Sequence, residues 1–456
     1  MMKHIIRVVL TILALTLHAW SAVIHERRDI HPRYWHDQQP LDGKTVLPVR
    51  IGLTQSNLEK AEALLRDVSD PSSSKYGKHL SKDEVDNLFA PSQETVNVIR
   101  NWLEESGIAG HRIEQSANKQ WLQFNATSDE LGSLLNTQYY SYQHALTGKS
   151  YIAAREYSVP SNVSAHIDYI VPGVKHLSAK KRPLAAASME RDNPIPDSLN
   201  FPWPNVETNT SMCSTVMTPA CVRALYNIPI GSKAAKGNEL GIVAQLDAYS
   251  QEDFDDFKSL VAPDLPEDAK PDVKSINGGV APVPAAEAGI ESNLDLMTAA
   301  PIIWPQKATI FQVDDPIYQA DYAYPGFLNN FLDAVDGSYC DKHDTSFDPP
   351  YPNPKENGYK GKKQCGVYEP TKIITISYAN SEDNLPPSYQ TRQCYEWLKL
   401  GLQGITVIAA SGDTGVQSGS DQKEGCLNNG KAFAPQFRCV MSICNNSWIN
   451  CVTKGR

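Results

Sequence analysis

Hydrophobic and polar positions divide this chain into two differently patterned stretches. In the first, Leu47-Pro-Val-Arg-Ile-Gly-Leu53 and Gln120-Trp-Leu-Gln-Phe124 alternate as half-buried strands do. Ser56-Asn-Leu-Glu59 reads as a capping box opening a helix whose Leu58, Leu64, Leu65 and Val68 share a face. Thr127-Ser-Asp-Glu130 reads as a second, with Leu131, Leu134 and Leu135 inward. These elements predict an independent α+β block from about residue 45 to 175. The second stretch carries short, nearly continuous apolar runs: 240–246, 308–313, 372–377 and 405–410. Such runs, spaced by helical segments, are expected of strands covered on both faces, hence a doubly wound parallel α/β sheet. Ligands of such sheets bind beyond the carboxyl ends of the strands. Asp413 sits at one such end, and a helix beginning near Ala285 belongs at the same edge.

The boundaries follow. Lys3, His4 and Arg7 precede the apolar run Val8–Leu17 and small residues around Ala19-Trp-Ser21, the pattern of a cleaved signal peptide over 1–22. The run is too short for a membrane span, so the expectation is a secreted, extracellular chain with no membrane contact after cleavage. Residues 23–175 form the front block and 176–210 a Pro- and Asn-rich linker. The basic cluster Lys180-Lys181-Arg182 in that linker suits a processing protease, or is a merely solvated basic segment. The second block runs from 211 to 437, and 438–456 is a tail without clear periodicity.

All nine cysteines lie at or after Cys213. Cys213 and Cys221 are close enough for a small-loop disulfide, whereas the pairing of Cys340, Cys365, Cys394 and Cys426 is not readable from spacing. Asn125, Asn162 and Asn209 begin glycosylation sequons, which agree with secretion. No Cys-x-x-Cys or His-Glu-x-x-His occurs, which argues against zinc. A net charge of -10 argues against nucleic acid as a partner. At 456 residues, two or three domains are expected.

The chemistry is confined by a shortage. Only His343 lies after His176, between two aspartates in a segment that reads as a loop, so a hydrolase built on the second block needs a carboxylate as general base. Glu291 and Asp295, four residues apart, project from one face if helical. Two carboxylates about 4 Å apart at a dielectric near 20 repel by roughly 4 kcal/mol, so the pair would share a proton in acid. The alternative is an exposed acidic helix face, which Glu287 would extend. Asp413, in Ser411-Gly-Asp-Thr-Gly415, could as a neutral acid donate to a developing oxyanion, or be a plain strand-to-turn aspartate.

Several motifs in order resemble the sedolisins, the serine-carboxyl peptidases, and within them the secreted fungal tripeptidyl peptidases. Leu47–Leu53, Ser74-Lys-Tyr-Gly-Lys-His79 and Phe89-Ala-Pro91 look like the activation prodomain. Glu291-Ser-Asn-Leu-Asp295, Ile376-Ser-Tyr378, Arg392-Gln-Cys394, Lys399-Leu-Gly401 and Ser411-Gly-Asp413 look like the peptidase domain. The resemblance implies a subtilisin-like fold, an acid-active zymogen, peptide and protein substrates, a calcium ion, and release of tripeptides from free N-termini. It makes Glu291 the general base, Asp295 its partner and Asp413 the oxyanion stabiliser, with the chain's own prodomain as a partner.

One departure matters. The family's nucleophile lies in a Gly-Thr-Ser motif, which does not occur in this sequence, and the calcium ligands are expected farther on still. Ser411 and Ser418 do not replace it, since neither opens a helix after a tight glycine turn. Phe433-Ala-Pro-Gln-Phe437 still fits, but the segment from Arg438, with Cys439, Cys444 and Cys451, does not. The expectation is a truncated or mis-spliced peptidase domain with an incomplete sheet. The alternative is an inactive pseudo-peptidase whose front block acts as a folding aid or inhibitor.

Overall fold

The computed structural model describes residues 21–27, 35–116, 118–144, 150–174, 213–214, 217–320, 328–337, 339–340, 348–378 and 387–410. They cluster into two units, residues 1–56 with 89–179, and 57–88 with 180–456. Asp413, His343, Asn209, the 180–182 basic cluster, residues 1–20 of the leader and the tail lie outside the described residues.

In the first unit β1 (Ala22–Arg27) pairs antiparallel with β8 (Glu156–Pro160). A second sheet joins β2 (Trp35–Pro40), β6 (Tyr139–His144) and β7 (Ser150–Ala154). The central sheet has the order β4-β5-β3-β9, from Glu114–Gln115, Trp121–Thr127, Val46–Leu53 and Ile167–Val171. Alternate residues Leu47, Val49, Ile51 and Leu53 enter the core, as the 47–53 pattern predicts.

Helices α1 (Leu58–Ser69) and α2 (Lys82–Phe89) interrupt this unit in sequence, while α3 (Gln93–Glu105) and α4 (Ser128–Leu135) pack on its sheet through Val96, Ile99, Leu103, Leu131 and Leu135. The Thr127 capping box forms: its hydroxyl accepts from Glu130 N, and the Glu130 carboxylate returns to Thr127 N. Arg112 and the Thr127 backbone N–H hold Glu130 down at about 2. The Ser56 capping box does not form. Asn57 takes the N-cap in a left-handed conformation, φ 58°, and its Nδ2 donates to Leu88 O at 2.8 Å.

The second unit is built on a five-stranded parallel sheet, order β11-β12-β10-β13-β14. These are Asp272–Ile276, Ala308–Val313, Leu240–Gln245, Ile373–Ile376 and Thr406–Ala409. Alternate residues of β10 serve opposite faces. Val243 joins Phe331, Leu332, Trp397 and Leu400, whereas Ile242 and Ala244 join Phe254 and Leu296. One face is therefore covered by α10 (Asn329–Val335) and α11 (Pro387–Leu402), the other by α7 (Gln251–Val261) and α8 (Ile290–Ile303). The expected α/β sheet with helices on both faces is present.

Residues 57–88 belong to this unit because α11 receives them closely. A Cβ on Gly401 would lie 2.9 Å from Leu65 Cδ1, Leu80 N donates to Leu402 O at 2.9 Å, and Lys82 Nζ meets Asp336 Oδ1 at 2.7 Å. Lys399 is buried against Glu396, Nζ to Oε1 2.8 Å; burial pushes its ammonium down and Glu396 pulls it back up. The Lys399-Leu-Gly401 motif thus has a packing reason. Cys213 pairs with Cys221 and Cys340 with Cys365.

Candidate functional site

The chain leaves β10 toward β11 on one side of the sheet and leaves β13 toward β14 on the other. Beyond the carboxyl ends of two such neighbours a crevice opens, the usual ligand position in these sheets. Asp247, two residues after β10, and Ser377 and Tyr378, directly after β13, stand at this point. Leu246, which turns the chain out of β10, has φ 77°. A branched residue in that region costs about 1–3 kcal/mol, strain that concentrates at functional sites. Here it delivers Asp247 to the start of α8.

Asp247 caps that helix from 44 residues away. Its Oδ2 accepts from Glu291 N at 3.1 Å and Ser292 N at 3.4 Å; its Oδ1 accepts from Ser292 Oγ at 2.6 Å and from the Tyr378 hydroxyl. Burial, then the Asp247 charge, pushes the Tyr378 phenol well above its ordinary range. The approach requires glycine at the N-cap, since a Cβ on Gly289 would lie 2.0 Å from Asp247 Oδ2. Asn293 fixes the helix laterally: its Oδ1 accepts from Ser250 N at 2.9 Å, and its Nδ2 donates to Asp253 Oδ2 at 2.8 Å.

Glu291 lies in the first turn of α8 and Asp295 one turn on, both half-buried. Glu287 is exposed and belongs to a separate short turn, so it does not extend their column. Ser377 Oγ donates to Asp295 Oδ1 at 2.8 Å, while Asp295 Oδ2 is buried and unpartnered among the described residues. Burial pushes the Asp295 carboxyl above its ordinary range, Ser377 pulls it down, and the neighbouring Asp247 charge pushes it up again. A buried oxygen without a donor, on a carboxyl inclined to keep its proton, can hold a hydrogen between itself and a second acid.

Sequence reasoning assigned no role to Asp247, Ser377 or Tyr378. Asp247 was detectable by the argument applied to Asp413, an acid just after an apolar strand. Among the described residues no cluster of three or more His, Cys, Asp or Glu side chains could hold a metal ion. No step is therefore routed through calcium.

Residues 33–176 match the pro-kumamolisin activation domain. Over 424 residues the chain is 52% identical to tripeptidyl-peptidase sed1 of Aspergillus fumigatus, covering 91% of this chain and 66% of that protein. It is 44% identical over 440 residues to aorsin of Aspergillus oryzae (92% and 67% covered), and 35% identical over 424 to tripeptidyl-peptidase SED1 of Arthroderma otae (86% and 62%). The chain spans about two thirds of the length of these relatives. Together with the strand-end Asp247 at the start of α8 and the acids Glu291 and Asp295 on that helix, these likenesses place the chain in the sedolisin family of peptidases.

Proposed function

We propose that the chain is the zymogen form of a secreted, acid-active serine-carboxyl peptidase with a subtilisin-like second unit, removing tripeptides from protein N-termini. The observation that carries this reading is the Asp295 carboxyl, bonded by Ser377 on one oxygen and unpartnered on the other among the described residues, one helical turn after Glu291. In this reading Glu291 takes the proton of an attacking serine hydroxyl, that of the family's Gly-Thr-Ser motif, which this sequence does not contain. The proton passes to the amine that leaves as the peptide C–N bond breaks and the acyl-enzyme ester forms. Asp295 shares that proton, and Asp413, as a neutral acid, donates to the oxyanion. Exopeptidase rather than endopeptidase action follows the names of the tripeptidyl-peptidase relatives. Secretion rests on the leader-like 1–22 segment and the sequons; Asn125 and Asn162 are both exposed, on β5 and in the short Ser161–Ser164 helix. No helix among the described residues is long and apolar enough to cross a membrane.

A second reading is favoured by one observation: the sequence contains no Gly-Thr-Ser nucleophile motif. On that reading the chain is inactive, and its front block serves as a folding aid or inhibitor of related peptidases. Incubating purified chain at about pH 4, where a shared-proton acid pair works, with a tripeptide-amide reporter separates the two. Turnover abolished by Glu291→Ala supports the peptidase; no turnover supports the inert chain.

A further inference from the structure

Asp314 directly follows β12 as a buried carboxyl, 3% exposed, in a left-handed backbone conformation, φ 68°. Three elements converge on it. Asn330 Nδ2, from α10, and the Tyr351 hydroxyl donate to its Oδ1 at 2.6 and 2.9 Å; Gln245 Nε2, at the end of β10, donates to its Oδ2 at 3.0 Å. The other amide atoms of two of these partners, Gln245 Oε1 and Asn330 Oδ1, are buried without a hydrogen bond among the described residues. Besides Tyr351, the titratable groups acting on Asp314 are Asp315 next to it and Lys363. Lys363 is itself paired with the buried Asp333.

An ionised Asp314 would therefore sit dry beside a second acid, with Lys363, the one nearby cation among the described residues, engaged by Asp333 and acceptor oxygens stranded around it. A neutral Asp314 carries an O–H donor, and half a turn of either amide presents an oxygen to it. We propose that Asp314 is an acid latch, a carboxyl that keeps its proton in the folded second unit and ties β10, β12, α10 and the Tyr351 loop together, releasing them when it ionises. This concerns the stability of the sheet edge and does not depend on the catalytic reading. Burial is the largest influence and pushes the group up to about 7; Tyr351 and Asn330 pull it down, Asp315 pushes up and Lys363 pulls down. With the folded value raised above the unfolded one of 3.8, the stabilisation is complete below that lower value and is lost as pH climbs through about 7. The unit is built to hold in acid and to loosen near neutrality.

The test is hydrogen exchange of the full-length chain, followed by mass spectrometry on peptides from β10, β12 and α10, between about pH 5 and about pH 8, corrected for intrinsic rates. The opening equilibrium of this region is expected to rise about a hundred-fold over that range in the unmodified chain. Most of the rise should vanish in Asp314→Asn, which imitates the neutral acid. The same rise in Asp314→Asn, or no rise in the unmodified chain, overturns the latch. Should Asp314→Asn not fold, Tyr351→Phe decides: losing a donor to the ionised form must carry the upper end of the change to higher pH, and an unmoved profile overturns the proposal equally.

Discussion

Gly289 and Asp247 are in contact so close that a single methyl group would occupy the carboxylate: a Cβ on Gly289 would come within 2.0 Å of Asp247 Oδ2. The glycine is set by this approach alone, since its φ of -91° is open to any residue. Gly289→Ala should push Asp247 away from the Glu291 and Ser292 amides and destabilise the second unit by about 1–3 kcal/mol, the usual cost of forcing atoms into a packed site. Denaturant unfolding of the variant against the unmodified chain reads this directly.

Asp247 acts on Asp295 through charge. Asp247→Asn removes that charge, so the Asp295 carboxyl should titrate at lower pH. The variant also leaves buried donors poorly satisfied, costing about 1–3 kcal/mol. A carbon-13 carboxyl titration by NMR measures the first effect and urea unfolding the second; a variant with Asp295 unmoved would show that the two acids are not coupled.

The first unit should respond to acid with the opposite sign from the second. His25 in β1 reaches Ser164 Oγ and Asp168 O, both at 3.2 Å, and so ties β1 to the Ser161–Ser164 helix and β9. Burial lowers its pKa, against a smaller pull upward from Asp168. Its folded value lies below the unfolded 6.5, so its stabilising contribution is complete above 6.5 and is lost as pH falls below it. Exchange protection of the β1 and β8 amides should fall several-fold between about pH 7 and about pH 5. His25→Phe should flatten that fall.

The strands of the parallel sheet in the second unit that are buried on both faces were plain in the sequence. Ala308–Val313 is fully buried along its length and reads as a nearly continuous apolar run, broken only by Thr309 and Gln312. Asp272–Ile276 escaped notice because Asp272, Lys274 and Ser275 leave it no apolar run, whereas Thr406–Ala409, at the other end of the same strand order, keeps one. Local chemistry decided the two capping boxes. Thr127 keeps an extended backbone and caps its helix, whereas Asn57 spends its side chain on Leu88 and displaces Ser56. Glu291 and Asp295 were legible because their spacing survives in one dimension. The cap that orients them was not, because Asp247 and Tyr378 meet across 131 residues of chain. No short-range pattern encodes such a pairing.

The central claim is that Glu291 and Asp295 hold one proton between them, and carbon-13 carboxyl titration of Asp295 in the unmodified chain and in Glu291→Gln tests it most directly. The account predicts that Asp295 titrates above the ordinary aspartate range, in two coupled steps, and becomes a single-step titration when Glu291 is replaced. An Asp295 that titrates once, at an ordinary value, with or without Glu291 would contradict it.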